Sequence, residues 1–340
     1  MSSTSISYKV IVRPHILIVK LGARGDVLRT TSILPPLAEK HPGAEIYWLV
    51  GEDSREILEG NPYLSGVITD LSGFEGKFDR VLSLDEDKSA LRAAARAGGE
   101  LVGFYTDGGG VRATESFDTL WRMSLYGPSP ENDRLKKSNR LTYQRLLYDA
   151  LGLGTEIHRP VLEIPRKDKE MAAEFRGGYE KIAGINFSSS ALWPAKRLPL
   201  SKVLNLAEMI ETAGVTPVIF GSRDEKKEIS ILRESGGKLL FACGMPLKRF
   251  AAVIGECEFI ITTDSLALHI ATAGGKRVAS LFGPTSAAEA EIYGNGVKVS
   301  APVDCLCCYR KKCSRKPFCM DMINLKSALD SVIKTGNKSR

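Results

Sequence analysis

The chain has 340 residues, of which 43% are hydrophobic, and its formal net charge is +7 at pH 7. This length and apolar content suffice for two domains with separate cores, and no apolar run approaches the roughly 20 residues of a membrane-spanning helix. The moderate positive charge suits anionic ligands or an acidic membrane face, and without an aromatic-basic recognition motif we expect no nucleic-acid partner.

The first residues and the cysteines both bear on the compartment. The leader MSSTSISYKVIVRP lacks the apolar core and the cleavage site of a secretory signal. Most of the cysteines are packed between Cys305 and Cys319, which is unlike the even distribution of a secreted disulfide framework. We therefore expect a cytoplasmic protein.

The first half of the chain alternates predicted strands and helices. HILIVK is typical of a buried parallel strand, and after LGARGD the segment VLRTTSILPPLAEKHPG is mostly helical, with Pro35 and Pro36 kinking or shortening the helix. The same alternation continues with strands at 45–50 and 78–84 and helices at 88–97 and 138–151. Such a pattern predicts a parallel sheet covered on both faces.

The pattern restarts around VLEIPRKDK, residues 161–169, where we place a domain boundary. A second sheet follows, with strands at 181–187 and 216–220 and helices at 201–213, from 223 and at 247–256. We predict one Rossmann-like domain over residues 1–165, a second over 166–319, and a C-terminal helix with a polar tail over 320–340.

A short glycine-containing turn, GARGD, ends in Asp26 directly after the first strand. Spacing alone favours a tight strand-to-helix turn with Asp26 as a helix cap. The glycines do not complete a dinucleotide fingerprint, so nicotinamide binding is weakly supported. In the functional alternative, Asp26 lies at the carboxyl end of a parallel sheet, where ligands usually bind, and could act as a general base.

Polar groups also follow two strands of the second half. Three serines, 188–190, precede WPAKR; their hydroxyls and the loop amides could cradle a phosphate, while Lys196 could stabilise a departing diphosphate. The alternative is a solvated loop. Glu225, in GSRDE, could bind ribose hydroxyls, or it is a first-turn glutamate that favours the helix dipole.

The stretch FIITTDSLALHIATAGGKRVASLFGPT, residues 259–285, predicts a strand, a helix and another strand. The mouth of this helix offers free backbone N–H groups and the positive end of its dipole, which suit a phosphate. Asp264 and Ser265 stand at the mouth, where plain caps are the alternative, and His269 could be a satisfied core histidine. With Ser188 and Gly221, Asp264 marks a third polar strand end in one sheet, and together they predict a nucleotide-diphosphate pocket.

Several motifs, taken in order, resemble glycosyltransferase family 9, whose best-known members are the ADP-heptose:lipopolysaccharide heptosyltransferases. They are ILIVKLGARGDVLRTTSILPPL, AEIYWLV with NPYLSGVI, WPAKRLP and TTDSLALHIATAGGKRVASLFGPT, and the resemblance extends over most of the chain. It implies an α/β GT-B fold, with two facing Rossmann-like domains, parallel sheets and an active site in the cleft between them. It also implies an inverting, metal-independent transferase that moves a sugar, expected to be heptose, from an ADP-sugar to a lipopolysaccharide-core or related glycan acceptor. Such an enzyme would act at the cytoplasmic face of the inner membrane, as a cytoplasmic protein in peripheral contact with it.

The resemblance implies roles for the residues already singled out. Asp26 matches the family's proposed catalytic base, Lys196 the basic residue beside the diphosphate, and Glu225 the ribose-binding glutamate. The phosphate loop and the sugar-nucleotide segment complete the donor-binding set with Ser188, Ser189, Ser190, Asp264, Ser265 and His269. The acceptor is expected on the first domain, where the candidates for its anionic groups are Lys20, Arg24 and Arg29. Where the family commonly has glycine and proline this chain has Leu266 and Ala267, a departure that bears on the identity of the sugar donor.

The cysteines follow the spacing Cys305-x2-Cys308-x4-Cys313-x5-Cys319, with Cys307 inside, which resembles a cysteine-rich tail in part of this family. Four thiolates could hold a structural zinc, whereas catalysis is expected to need no metal or other cofactor. The spacing is not a standard pair of CxxC motifs, so free thiols and disulfides stay open beside a metal. The basic residues around the cysteines, at 310–312 and 315–316, could contact anionic lipid or an acceptor phosphate, or form a solvated loop.

Two other functions would use the same pocket. A GT-B-like sugar-nucleotide epimerase needs no acceptor, and a catalytically silent sugar-nucleotide-binding protein binds the donor without transferring the sugar. The presence of Asp26 argues mildly against the silent protein.

Overall fold

The computed structural model describes residues 13–72 and 77–337. Within them the chain forms two six-stranded sheets, one after the other along the sequence. Most of the leader and the end of the polar tail, residues 1–12 and 338–340, lie outside the described residues. The interpretation of the leader and the outer limits of the predicted domains therefore stay predictions.

The first sheet contains β1 (His15–Val19), β2 (Glu45–Leu49), β3 (Gly66–Ile68), β4 (Arg80–Ser83), β5 (Glu100–Asp107) and β6 (Gly110–Ala113). Their order across the sheet is β3-β2-β1-β4-β5-β6, and neighbours are parallel except for the antiparallel pair β5 and β6. Nearly every side chain of β1 and β4 is buried, as expected where helices cover both faces of a parallel sheet.

The helices of this half are α1 (Arg24–Thr30), α2 (Leu34–Lys40), α3 (Arg55–Leu58), α4 (Lys88–Ala97), α5 (Asp118–Met123), α6 (Glu131–Ser138) and α7 (Tyr143–Leu151). The predicted interruption at Pro35 and Pro36 is confirmed. A 3₁₀ turn, Thr31–Ile33, separates α1 from α2, and the prolines occupy the first turn of α2, where a missing N–H costs no hydrogen bond.

The second sheet contains β7 (Ile182–Asn186), β8 (Thr216–Gly221), β9 (Leu240–Cys243), β10 (Phe259–Thr263), β11 (Arg277–Phe282) and β12 (Gly296–Ser300). All its neighbouring strands are parallel, in the order β12-β11-β10-β7-β8-β9. Its helices are α8 (Arg166–Arg176), α9 (Leu200–Thr212), α10 (Lys226–Glu234), α11 (Leu247–Glu256), α12 (Leu266–Ala273) and α13 (Leu325–Asn337). The predicted pair of parallel sheets is confirmed.

Both sheets have the same switch in strand order. The first strand of each lies beside the fourth, so β1 neighbours β4 and β7 neighbours β10. At such a point the connections leave in opposite directions and open a crevice at the carboxyl ends of the strands. Leu21 and Asp85 follow the first pair of strands, and Ser188 and Asp264 follow the second.

The two halves share buried apolar contacts beside this crevice. Val27 and Leu28 of α1 and Ala267 and Leu268 of α12 belong to one continuous apolar cluster. Helix α1 packs against α12, and α3 packs against α11, while α13 covers β11 and β12. The helices that begin at the two switch points are therefore held against each other.

Candidate active site

A cavity of about 1340 Å³ lies where the carboxyl ends of the two sheets meet. Segments of both halves line it, and they include most of the residues that the sequence singled out: Arg24, Asp26, Arg29, Ser188, Ser189, Ser190, Lys196, Asp264, Ser265 and His269. Lys20 and Glu225 are absent from its lining. The tertiary structure thus brings together groups that are up to about 240 residues apart in sequence.

Asp26 lies in the first turn of α1 and does not cap it. The N-cap is Ala23, whose side chain makes no capping bond, and the Asp26 carboxylate accepts instead from Arg29, with Nη2 and Oδ1 2.9 Å apart. Burial raises the pKa of Asp26, but the positive charges of Arg29 and Lys20 and the neighbouring His269 outweigh it and hold the pKa below its usual value. The carboxylate, with 39% of its side chain exposed to the cavity, is therefore ionised at neutral pH.

Lys20 lies behind the cavity wall and is paired with Asp85, a residue that the sequence analysis missed. The Lys20 ammonium donates to Asp85 Oδ1 at 3.2 Å, and the backbone N–H groups of Leu21 and Gly22 donate to Oδ2 at 2.9 and 2.7 Å. Burial lowers the pKa of Lys20, but Tyr143, Asp85 and Asp26 outweigh it and raise the pKa above its usual value. Asp85 therefore fixes the loop that leads into α1.

The other two predicted acceptor residues, Arg24 and Arg29, differ in how tightly their side chains are held. Arg24 is exposed, and its Nε donates to the backbone oxygen of Asp53 at 2.7 Å. The guanidinium carbon of Arg29 lies 3.9 Å from the centre of the Tyr143 ring, so this side chain is held between a carboxylate and an aromatic face. Arg29 thus stands beside Asp26, whereas Arg24 stands at the rim of the cavity.

The serine loop after β7 is built on Asn186, a second residue that the sequence analysis missed. The Asn186 amide donates to the Ser188 backbone oxygen at 3.1 Å, to Thr262 Oγ1 at 3.2 Å and to Ser265 Oγ at 3.0 Å. Ser189 Oγ donates to the backbone oxygen of Trp193 at 2.6 Å. The ends of β7 and β10 are thereby joined, and the loop is more ordered than the solvated alternative would require.

Glu225 is fully buried and is not among the residues that line the cavity. Its carboxylate accepts from the Ser188 hydroxyl and, at 2.7 Å, from the backbone N–H of Ser222, while the Ser222 hydroxyl accepts in return within the same turn. This is a capping box, and Glu225 stands in the first turn of the helix, as the alternative interpretation of the sequence expects. Glu225 supports the serine loop through Ser188, and its ribose-binding role stays a prediction.

Lys196 and Asp264 form an ion pair at the carboxyl end of the second sheet. Lys196 Nζ donates to Asp264 Oδ2 at 2.8 Å and lies 5.0 Å from the centre of the Trp193 ring. Burial raises the pKa of Asp264, but Lys196 outweighs it and holds the pKa below its usual value. Ser265 is the N-cap of α12, yet neither its side chain nor that of Asp264 caps the helix, so this end is open to an anion.

His269 connects α12 with α1. It is 6% exposed, and its ring packs so closely on Gly25 that a Cβ at residue 25 would lie 3.0 Å from His269 Cδ2. Burial and then the charge of Arg29 lower the pKa of His269 to about 4, so the ring is neutral at physiological pH. The histidine is buried, as the core alternative expects, and it also lines the cavity.

Glu289 and Tyr309 line the cavity in the loops that follow β11 and β12, and the sequence analysis assigned neither. The Tyr309 hydroxyl donates to Glu289 Oε1 at 2.6 Å. Neither residue follows a strand directly, so the strand-end rule that located Asp264 does not find them. The same rule would have found Asp85, close after β4.

The four predicted cysteine ligands, Cys305, Cys308, Cys313 and Cys319, line a separate pocket of about 240 Å³. Arg310 and Arg315 line it too and could balance the charge of thiolates. All four thiols are free, and within residues 13–72 and 77–337 no three His, Cys, Asp or Glu side chains stand where they could hold one metal ion. The donor set suits zinc, but its arrangement in this structure does not.

Comparison with known proteins places this chain in a protein family. Residues 123–319, more than half of the chain, match the profile of glycosyltransferase family 9 (heptosyltransferase). Lipopolysaccharide heptosyltransferase 1 of Pseudomonas aeruginosa is 22% identical over 324 residues, which cover 89% of this chain and 88% of that protein. A glycosyl transferase family 9 structure from Veillonella parvula superposes with a TM-score of 0.73 at 19% identity, over 98% of this chain and 99% of that one. Heptosyltransferase WaaC of E. coli, solved with ADP, gives 0.62 at 16% identity, over 95% and 98% of the two chains.

Two Rossmann-like sheets that meet at a cavity, together with these structural neighbours, define the GT-B fold of sugar-nucleotide glycosyltransferases. The chain belongs to glycosyltransferase family 9, the heptosyltransferase family of lipopolysaccharide-core synthesis, and is a glycosyltransferase. In the part of the chain that the structure describes, no helix is both long and apolar enough to cross a membrane.

Proposed function

We propose that this enzyme transfers heptose from ADP-heptose to a lipopolysaccharide-core or related glycan acceptor, with inversion at the anomeric carbon and without a catalytic metal. The observation that carries the proposal is the meeting of two groups in one cavity. A carboxylate from the first sheet, Asp26, faces a cation and an open helix mouth from the second sheet, Lys196 and the start of α12. A base opposite an anion site is what displacement of a diphosphate requires.

The donor is assigned to the second half. The open N-terminus of α12, the backbone of the ordered serine loop and Lys196 together offer backbone N–H groups and one positive charge to a diphosphate. The E. coli relative solved with ADP supports adenosine diphosphate as the leaving group. Leu266 and Ala267 line the donor side of the cavity, so the departure from the family's glycine and proline falls on the donor pocket.

The acceptor is assigned to the first half. Its hydroxyl lies against Asp26, which takes the proton as the oxygen attacks the anomeric carbon. The bond from that carbon to the diphosphate oxygen breaks, and the two electrons leave with ADP, whose charge Lys196 and the α12 amides stabilise. Arg29, and at the rim Arg24, bind anionic groups of the acceptor, while Lys20 acts indirectly through the loop that Asp85 fixes. We place the enzyme in the cytoplasm, in peripheral contact with the inner membrane that carries the acceptor.

The proposal is tested by incubating the protein with ADP-heptose, with and without a lipopolysaccharide-core glycolipid, and following ADP release and the anomeric configuration of the product. We expect transfer only when both substrates are present, insensitive to EDTA. Asp26→Asn should lower kcat on the order of 100- to 10,000-fold while ADP affinity is kept. Asp107→Asn, in the exposed β5–β6 hairpin, is the control and should leave kcat unchanged. An altered sugar nucleotide formed from donor alone would indicate an epimerase. Donor binding without transfer to any acceptor would indicate a silent binding protein.

A further inference from the structure

Glu289 has one carboxylate oxygen that accepts a hydrogen bond from the protein and one that accepts none from the part of the chain that the structure describes. Its backbone oxygen accepts from the N–H of Tyr143 at 3.0 Å, which fixes the residue to the first half of the chain. Oε1 accepts from the Tyr309 hydroxyl. Within residues 13–72 and 77–337 no hydrogen bond or ion pair engages Oε2, although the residue is half-buried and lines the cavity. A carboxylate oxygen in this position needs a donor from a ligand or from water.

Tyr309 is held in place from several sides. Its backbone has a φ of 50°, in the left-handed region that non-glycine residues rarely adopt, and its N–H donates to the backbone oxygen of Pro284 at 2.8 Å. The ammonium of Lys136, a lysine only 7% exposed, lies 5.2 Å from the centre of the tyrosine ring. Burial and then Glu289 raise the pKa of Tyr309, so the phenol stays protonated and donates. Because these contacts fix Tyr309, its hydrogen bond also fixes the position of the Glu289 carboxylate.

The charge of Glu289 decides which part of the substrates it can meet. A carboxylate that no cation neutralises, unlike Asp264 with its partner Lys196, repels a diphosphate and the anionic groups of an acceptor, but it accepts strong hydrogen bonds from neutral hydroxyls. Glu289 lines the same cavity as Asp26, and the carboxylates of both residues raise the pKa of Arg29. The neutral, polyhydroxylated group expected beside Glu289 is the transferred sugar.

We infer that Glu289 binds hydroxyl groups of the transferred sugar through its free carboxylate oxygen, and that Tyr309 is the residue that positions it. The inference rests on the proposed function, because it requires a sugar nucleotide in the cavity. It adds a sugar subsite on the loops after β11 and β12, separate from the diphosphate site at α12.

The test compares the affinities of the full-length protein for ADP-heptose and for ADP, measured by titration calorimetry. Glu289→Gln should weaken ADP-heptose binding about tenfold or more and leave ADP affinity unchanged or slightly higher, because a charged acceptor is lost where no phosphate binds. Tyr309→Phe should weaken ADP-heptose binding less, by several-fold, again sparing ADP. Combining the two changes should add nothing to Glu289→Gln alone, since Tyr309 acts through Glu289. Glu52→Gln, which removes another carboxylate from the cavity lining, is the matched control and should leave the ratio of the two affinities unchanged.

Each outcome has one meaning. A wild-type protein that binds neither ADP nor ADP-heptose would overturn the proposed function. If the wild-type protein binds ADP and ADP-heptose, and Glu289→Gln binds both with the same affinities as the wild type, this inference alone is overturned. Equal losses for ADP and ADP-heptose would assign Glu289 a structural role, and an increased acceptor KM with unchanged donor affinity would assign it to the acceptor; both results would overturn the inference.

Discussion

Arg29 and Asp26 form an ion pair across one turn of α1, with Nη2 and Oδ1 2.9 Å apart, at the point where the first sheet opens into the cavity. The other side of the guanidinium lies on the Tyr143 ring. This arrangement keeps the proposed base ionised, because Arg29 is the largest of the charges that oppose the effect of burial on its pKa. Removal of Arg29 should therefore change the pH range of the proposed base more than removal of any other neighbouring charge.

We expect Arg29→Gln to move the acidic limb of the kcat/KM profile to higher pH. Removing the guanidinium leaves burial as the dominant influence, so the pKa of Asp26 rises and a larger share of the enzyme is protonated at a given acidic pH. The measurement is kcat/KM for ADP-heptose across the acidic range. Arg29→Lys, which keeps the positive charge, should hold the limb closer to that of the wild type. A limb unmoved in Arg29→Gln would show that another group titrates.

Asp85→Asn should destabilise the protein by about 2–4 kcal/mol. The substitution removes the charge that three donors share, from Lys20, Leu21 and Gly22, and leaves the buried ammonium without its counterion. Urea unfolding at neutral pH measures the change. Asp107→Asn, at an exposed hairpin, should stay within about 0.5 kcal/mol of the wild type. A loss as small as this for Asp85→Asn would mean that the loop before α1 does not depend on it.

Gly25→Ala should lower kcat about 10- to 100-fold with little effect on the free energy of unfolding. A Cβ at this position would meet His269 Cδ2 at 3.0 Å, so the His269 ring, and with it the packing of α12 on α1, must give by a few tenths of an ångström. Such a shift separates Asp26 from the donor side of the cavity. Gly178→Ala is the control, because a Cβ there meets nothing within 4 Å. Full activity in Gly25→Ala would show that this contact does not set the spacing of the reacting groups.

His269 should make the protein less stable as the pH falls. Its pKa is about 4 in the folded protein, lowered by burial and Arg29, against about 6.5 in the unfolded chain. The unfolded chain therefore binds the proton more tightly, and stability present above pH 6.5 is lost progressively toward pH 4, by about 2 kcal/mol at pH 5. In His269→Gln, the difference between the unfolding free energies at pH 7.5 and pH 5 should be smaller than in the wild type by about this amount. His158→Gln, outside the cavity lining, should keep the full difference.

The cysteine pocket should contain thiols without stoichiometric metal. The four cysteines share one pocket, but within residues 13–72 and 77–337 no three of them stand where they could hold one metal ion, and Cys313 is exposed. We expect elemental analysis of protein purified without chelators to find well under one zinc or iron per chain. Cys313 should react with a thiol reagent in the native state, whereas buried Cys257 should react only after unfolding. One tightly bound zinc per chain would contradict this and establish the structural site that the spacing allows.

The sequence by itself determined the class of fold, and most of the site residues that it singled out line the cavity. The periodicity of strands and helices is a local property of the sequence, and polar residues follow the ends of β1 and β10. Parallel strands deliver those ends to one edge of a sheet, so Ser188, Gly221 and Asp264 could be placed together without coordinates, whereas the family resemblance alone predicted that Asp26 faces them across a cleft. The predicted helix break at Pro35 followed from the same local logic, because a proline ring acts on its own turn.

The tertiary structure decided how each of those side chains is used. Glu225 looks like a free carboxylate in sequence, yet it is buried because Ser188, 37 residues earlier, turns its hydroxyl toward it. Glu289 and Tyr309 sit in irregular loops, and only long-range contacts with Tyr143 and Lys136 bring them to the cavity. Local patterns specify elements and their ends, whereas the partner of a polar side chain depends on which distant segments the packing of the two halves brings within hydrogen-bond distance.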